Sequence, residues 1–452
     1  MRATSFSPLA ALSVLLAAST AAARSAAGDR LLVVRDKKYE TGYDKFFASL
    51  QERGFEVTFS EPKADTTMLE GYGVPLYDHL IIFAPETRAF SPAFTPQNIL
   101  AAQGQYLNTL HILSPGLDAV QAATLREYDI EPVPAGSEVL DAFSHVGGGS
   151  DADLVCARDS LVAPVPVFSQ QTLKQSGPLV VPHATGFKTG ANPFLLDIVS
   201  APSTSYVGDK DGKAAVETKP GAEIQLAGSK VSLVAAMQNR ENVRIGFVAS
   251  PELLSDKWWG KKLDGTETGN RAVVEDLTKW LFQETGVIRV VDTHHHRSAE
   301  TEPREEYTKN DNVSYEITLS QHTTAANGTS AWSPFSVSDL QLEFTMLDPH
   351  IRTSLVEASS TAEDTTYAVE FRAPDRHGVF KFAVSYFRPG WTYLDTFDKA
   401  SVVPLRHDEH PRFIVGAYPF YTGALSTSAA FLVFVALWIS LAESDKGKKK
   451  AE

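Results

Sequence analysis

Short apolar runs alternate with stretches of helical spacing between residues 31 and 115. Leu31 to Val34 is continuously apolar, the pattern of a strand buried on both faces. Between Tyr43 and Arg53, Phe46, Phe47 and Leu50 recur at helical spacing, and Gly54 stands where a C-cap glycine belongs. Phe55 to Phe59 alternates as a second strand, and Leu80 to Phe83 is a third buried run. Thr95-Pro96 opens another helix, with proline in its first turn, and Leu110 to Leu113 fits a fourth strand. Strand and helix at this spacing predict an α/β unit built on a mainly parallel, doubly wound sheet.

From about 132 to 228 the chain is richer in Pro, Gly and Ser and carries only short β runs, as expected of an insertion or a second sheet layer. Val231 to Ala236 and Val243 to Val248 read as strands. Asn270 to Glu284 reads as an amphipathic helix with Val273, Val274, Leu277, Trp280 and Leu281 on one face. The α/β unit is therefore expected to span 28–292. Residues 293–311, charged and beginning in a histidine run, read as a polar linker. Between 312 and 415 the rhythm changes to short alternating strands separated by turns, among them Asp348-Pro349 and Pro389-Gly390. No long helix interrupts them, which predicts an all-β, sandwich-like domain.

The two ends follow other rules. Arg2 precedes an apolar run from Leu9 to Ala18 and the small residues Ala21-Ala22-Ala23. This is the layout of a signal peptide over 1–23, too short to span a bilayer core of ~30 Å. The cut is expected between Ala23 and Ala27. Near the other end, the 30 residues from Phe413 to Ala442 carry no charge. Within them Thr422–Leu441 is long enough for one transmembrane helix, with Tyr418, Phe420, Tyr421 and Trp438 at its borders. The tail 442–452 holds Lys446, Lys448, Lys449 and Lys450, which places it in the cytosol and the body in the lumen, a type I arrangement.

Composition narrows the functions. With 41 Lys plus Arg against 55 Asp plus Glu, the net charge is −14, and no basic stripe exists outside the tail, so nucleic acid is excluded as the main partner. The 452 residues contain one cysteine, Cys156, so no intrachain disulfide can form, and stability has to come from apolar burial.

Candidate chemistry is sparse. His294 to His296 invite a metal, but adjacent residues on a strand point different ways and no Cys, Asp or Glu at ligand spacing joins them. Gly147 to Gly149 lacks the spacing of a phosphate loop, and Arg35 to Lys38 follow the first strand where a dinucleotide fingerprint would place glycines. No cofactor is expected. A crevice at the carboxyl ends of the parallel strands would be lined by Asp36, Glu61, Glu86 and Ser114, residues that ordinary polar loops explain as well. Asn312 and Asn327 begin N-glycosylation sequons. Gly423, Ser426, Thr427 and Ala430 form a small-residue face on the membrane helix, suited to close helix packing. Lys449 and Lys450, third and fourth from the end, stand where a dilysine retrieval signal would.

Seven segments appear together in a collinear order: GFEVTF (54–59), YGVPLYDHLIIFAP (72–85), SAPSTSYV (200–207), TGNRAVVEDLTKWLFQETGVIRV (268–290), DPHIRTSL (348–355), GVFKFAVSY (378–386) and RFIVGAYPFY (412–421). Over essentially the whole mature chain the sequence resembles the 48 kDa subunit family of the eukaryotic oligosaccharyltransferase. The resemblance implies a Rossmann-like N-terminal domain of the GIFT type, a β-rich domain and one anchoring helix. It implies a non-catalytic place in the endoplasmic reticulum complex that moves a preassembled glycan from dolichyl diphosphate to Asn in Asn-X-Ser/Thr. A different, multispanning subunit would hold the catalytic carboxylates and metal. Complex assembly is the implied role, with positioning of the dolichol-linked oligosaccharide left open. Two other classes compete: a membrane-anchored glycan-processing enzyme, which needs paired carboxylates that nothing here singles out, and a glycan-binding quality-control protein.

Overall fold

The computed structural model describes residues 24–68, 73–147, 149–162, 166–208, 226–263, 265–324, 330–347, 350–410, 412 and 414–441. Residues 1–23, expected to be a signal peptide, Asn327, the pair Asp348-Pro349 and the tail with Lys449 and Lys450 lie outside these residues.

Four strands, β1 (Arg30–Arg35), β2 (Glu56–Ser60), β3 (His79–Phe83) and β4 (Asn108–Ile112), run parallel in the order β2-β1-β3-β4. The apolar run of β1 divides between two layers because successive side chains point to opposite faces. Leu31 and Val33 join the core that holds Phe46, Phe47 and Leu50 of helix α1 (Asp44–Glu52). Leu32 and Val34 pack with Ile99 and Ala102 of helix α2 (Pro96–Gln103) on the other face. Helix α1 ends as its sequence predicts, with Gly54 at φ 94°. Its first turn is capped from far away: Asp256 accepts from the backbone N–H groups of Asp44 and Lys45 at 3.1 and 2.9 Å.

The sheet continues past β4. Strand β6 (Arg244–Val248) adds parallel to β4, and β5 (Ser232–Gln238) adds antiparallel to β6. Phe187–Thr189 and Leu195–Ser200 both pair with β5, and Ile130–Pro132 closes that edge. The middle segment is thus no separate layer throughout, since part of it extends the same nine-stranded sheet. Its remaining strands form two ribbons, Glu138–Leu140 with Tyr206–Gly208 and Asp153–Cys156 with Leu179–Pro182. Helix α3 (Asn270–Leu281) lays Val273, Val274, Leu277, Trp280 and Leu281 onto the sheet face shared with α1.

The β-rich part holds two five-stranded sheets. One is built around β7 (Ile288–Arg297), β8 (Asn312–Thr324) and β9 (Thr365–Arg372), the other around β10 (Gly378–Tyr386) and β11 (Leu394–Val403). Tyr315 from the first stacks on Phe382 from the second at 5.2 Å, and within the second Phe344 stacks on Phe380 at 4.8 Å. Residues 293–311 are not a linker. Residues 293–297 finish β7, paired along β8, and Glu306–Thr308 pairs parallel to β11. The high charge misled because one face of each strand is solvated, where polar residues belong.

The two parts meet through buried polar contacts. Trp280 Nε1 donates to the Gly390 carbonyl at 2.7 Å, Gln238 Nε2 to that of Trp391 at 2.7 Å and Asn242 Nδ2 to that of Tyr393 at 3.0 Å. Arg244, fully buried, donates to the carbonyls of Trp280, Thr285 and Gly286 at 2.6, 2.7 and 2.7 Å. Burial pushes its guanidinium down to about 9, and its hydrogen-bond acceptors among the described residues are these carbonyls and the Gln238 amide oxygen.

Candidate functional site

Parallel strands deliver their carboxyl-end loops to one edge of a sheet, where open α/β proteins place ligands. Here that edge carries a cleft of about 520 Å³ lined in part by Lys38, Tyr39, Glu86, Ser114, Glu138, His183 and Glu252. Glu86, three residues beyond β3, is its best-held group. Its Oε1 accepts from Lys38 Nζ at 2.7 Å, Tyr39 OH at 3.3 Å and Ser114 Oγ at 3.3 Å. Gly116 leaves room for this carboxylate, since a Cβ there would lie 3.0 Å from Glu86 Cγ. Burial and the nearby Glu86 charge push the Tyr39 phenol far up, so it remains a proton donor. Across the cleft His183 Nδ1 lies 3.2 Å from Glu138 Oε2, and His183 holds a left-handed backbone at φ 44°.

Of the four crevice residues expected from sequence, Glu86 and Ser114 line this cleft. Asp36 sits beside it, accepting from Thr87 Oγ1 at 2.9 Å and capping the 3-10 turn at Lys38. Glu61 stands apart in an exposed ion pair with Lys37 at 3.4 Å. Glu138 and His183 were missed because they come from the irregular middle segment, whose path only the folded sheet reveals. Glu252 was findable: it follows β6, whose loop reaches the same edge once β6 is known to be parallel. The cleft offers a carboxylate held by donors, a second carboxylate beside an imidazole, and hydroxyls. Such a set can exchange hydrogen bonds with a polyhydroxylated ligand.

The three histidines are divided by the pleat. His295 points inward, stacks on Phe382 at 4.6 Å and bonds Tyr307 OH at 2.7 Å, and burial draws its pKa down. His294 and His296 point outward with ring centroids 5.3 Å apart. Among the described residues, no group of three or more His, Cys, Asp or Glu is placed to hold a metal ion.

Helix α4 (Tyr418–Leu441) starts four residues before the expected span. Within residues 415–441 an 18-residue stretch reaches a mean hydropathy of 2.0, and none of that stretch is buried in the chain. Gly423, Ser426, Thr427 and Ala430 are all exposed. Ser426 and Thr427 turn their hydroxyls back onto the Gly423 carbonyl at 2.9 and 2.8 Å, so neither presents an unsatisfied donor to lipid. Asn312 is exposed at the start of β8.

Comparison with known proteins supplies what the geometry leaves open. The family model described as OST48, N-terminal domain, matches residues 22–284, and that of the OST48 middle domain matches 294–442. The chain is 31% identical over 447 residues to the dolichyl-diphosphooligosaccharide–protein glycosyltransferase 48 kDa subunit of Danio rerio, covering 96% of this chain and 97% of that one. It is 31% identical over 424 residues to the protein of the same name from Caenorhabditis elegans, covering 91% of each. Among solved structures, α-L-fucosidase isoenzyme 2 from Paenibacillus thiaminolyticus is 10% identical at a TM-score of 0.28, covering 76% of this chain and 47% of the fucosidase. The C-terminal domain of wzt is 14% identical at 0.18, covering 27% and 75%. Likeness at those scores carries no structural argument.

Proposed function

Because the chain belongs to the OST48 family, we propose that it is a non-catalytic, membrane-anchored subunit of the oligosaccharyltransferase complex of the endoplasmic reticulum. The observation that carries this reading is identity sustained over 96% of the chain and 97% of a relative whose name places it in that glycosyltransferase. The complex transfers a preassembled glycan from dolichyl diphosphate to Asn in Asn-X-Ser/Thr, and the catalytic chain is a different, multispanning subunit. This chain contributes assembly: its body lies in the lumen, its lysine-rich tail in the cytosol, and its small-residue helix face packs on partner helices. The parallel order β2-β1-β3-β4 with helices on both faces supports a Rossmann-like, GIFT-type domain. The cleft around Glu86 and Ser114 is the candidate contact for the sugar of the dolichol-linked oligosaccharide.

Affinity purification of the full chain from mild detergent tests the reading. Stable recovery of a multispanning glycosyltransferase, with reduced occupancy of cellular sequons after depletion, is the expected result. A purified chain that hydrolyses or transfers glycan alone would replace it with the enzyme reading. Recovery of glycoproteins without any transferase would favour a quality-control role.

A further inference from the structure

The sequence leaves three bonds in the window from Ala23 to Ala27 that satisfy the small-x-small requirement of leader removal. They follow Ala21-x-Ala23, Ala23-x-Ser25 and Ser25-x-Ala27. We propose that the leader is cut at the Ala23–Arg24 bond, so that the mature chain begins at Arg24 and its first five residues are a working part of the α/β unit. This rests on the lumenal reading of the body given above.

Residues 25–28 are tied to the sheet through one buried side chain, Ser25, and through backbone groups, while Ala26 is exposed. Ser25 is only 7% exposed, and its Oγ lies 3.3 Å from Nε2 of His79, the first residue of β3. The same Nε2 lies 3.1 Å from the Gly28 carbonyl, and Nδ1 lies 3.3 Å from Asn108 Nδ2. Asn108 Nδ2 can only donate, so Nδ1 accepts and Nε2 carries the proton that Ser25 and Gly28 receive. Ala26 N–H donates to the Gln283 carbonyl at 3.0 Å, and Ala27 N–H donates to Ser25 Oγ at 3.1 Å. The His79 ring is closed in by Phe55 and Phe282, with centroids 5.4 and 4.8 Å away.

The charge of Arg24 also reaches the buried Arg53–Glu284 pair, where it opposes the guanidinium and favours the carboxylate. A cut after Ser25 would remove the hydroxyl over His79 and sever Ala27 from its acceptor. A cut after Ala27 would also remove the bond between Ala26 and Gln283. Either would open a fully buried imidazole to water. Only the first bond leaves every contact in place.

Terminal labelling and mass spectrometry of the full chain, purified with its complex from membranes, test the proposal. A labelled peptide starting Arg24-Ser25-Ala26 is expected. A labelled start at Ala26 or Gly28 overturns the proposed bond while leaving leader removal intact. A chain still carrying residues 1–23 overturns both the bond and the leader reading. A second measurement concerns fit: a chain given a leader that matures it at Gly28 should melt at a lower temperature than the natural chain in the same detergent. Equal melting would show that residues 24–27 are dispensable and would overturn their structural role.

Discussion

Two imidazoles at the centre of the parallel sheet are held neutral by burial. His79 and His111 are both pushed down to about 4, and desolvation is the leading cause in each. His111 stacks on Phe247 at 5.3 Å, and its Nε2 finds no partner within the described structure. Above pH 6.5 neither folded nor unfolded chain charges these groups, so their contribution is constant. Between pH 6.5 and 4 the unfolded chain takes up protons that the folded chain refuses, so stability falls as pH falls. The loss approaches about 3 kcal/mol for each histidine at pH 4. Denaturant midpoints of the detergent-extracted chain should therefore be level from pH 8 to 7 and drop towards pH 5. His111→Phe should flatten that slope, and an unchanged slope would remove His111 from the account. Cys156, 1% exposed and pushed up to about 12 by burial, is a packing residue. Maleimide should label it only in denaturant, and reductant should leave the melting temperature unmoved. Labelling of the native chain at the rate of a free thiol would refute this.

At the scale of single elements, local pattern decides as far as each element's own face reaches. Helix α1, helix α3 and the strands of the parallel sheet follow their apolar periodicity closely, because each buries a continuous face against one core. Strand β7 escaped because its outward residues, His294 and His296 among them, are those of a solvated face. Helix α4 has a test of its own. Gly423 and Ala430, seven residues apart, share a face, and small residues there allow partner helices to approach within van der Waals reach. Gly423→Leu with Ala430→Leu should leave membrane insertion intact, because each Leu favours the bilayer core by roughly 0.3–0.6 kcal/mol. Recovery of partner subunits and occupancy of substrate sequons should both fall. Leu425→Phe with Leu432→Phe serves as a control. These positions lie two and nine residues beyond Gly423, opposite it at ~100° per residue, and the change should be milder. Equal recovery from both variants would assign assembly to the lumenal body.

At the scale of the whole molecule, the junction between the α/β and β-rich parts is fixed by side chains that cap backbone groups of the other part. Arg244 backs the junction from within the α/β part, where its contact with the Trp280 ring at 4.6 Å holds the helix that reaches Gly390. Arg244→Ala would strand three buried carbonyls and leave a cavity, a loss of about 3 kcal/mol or more. A lowered melting temperature with new protease cuts near residues 283–290 is the expected outcome, and an unchanged melting curve would contradict it. None of this junction was legible in the chain, where Arg244 reads only as the charged edge of a strand. The same limit applies to the cleft. Glu86 and Ser114 were visible because parallel strands must send their next residues to a common edge. Glu138 and His183 were not, because an irregular segment fixes no direction until it is folded. Sequence by itself determined what depends on local periodicity and overall composition: the parallel α/β start, the β-rich end, the apolar C-terminal helix and a stability without disulfides. Tertiary structure alone decided which distant residues share a site, that residues 293–297 belong to a strand, and that Ser25 roofs a buried histidine. Those contacts join residues up to 257 positions apart, as Ala26 is from Gln283, and no local pattern encodes a partner at such a distance.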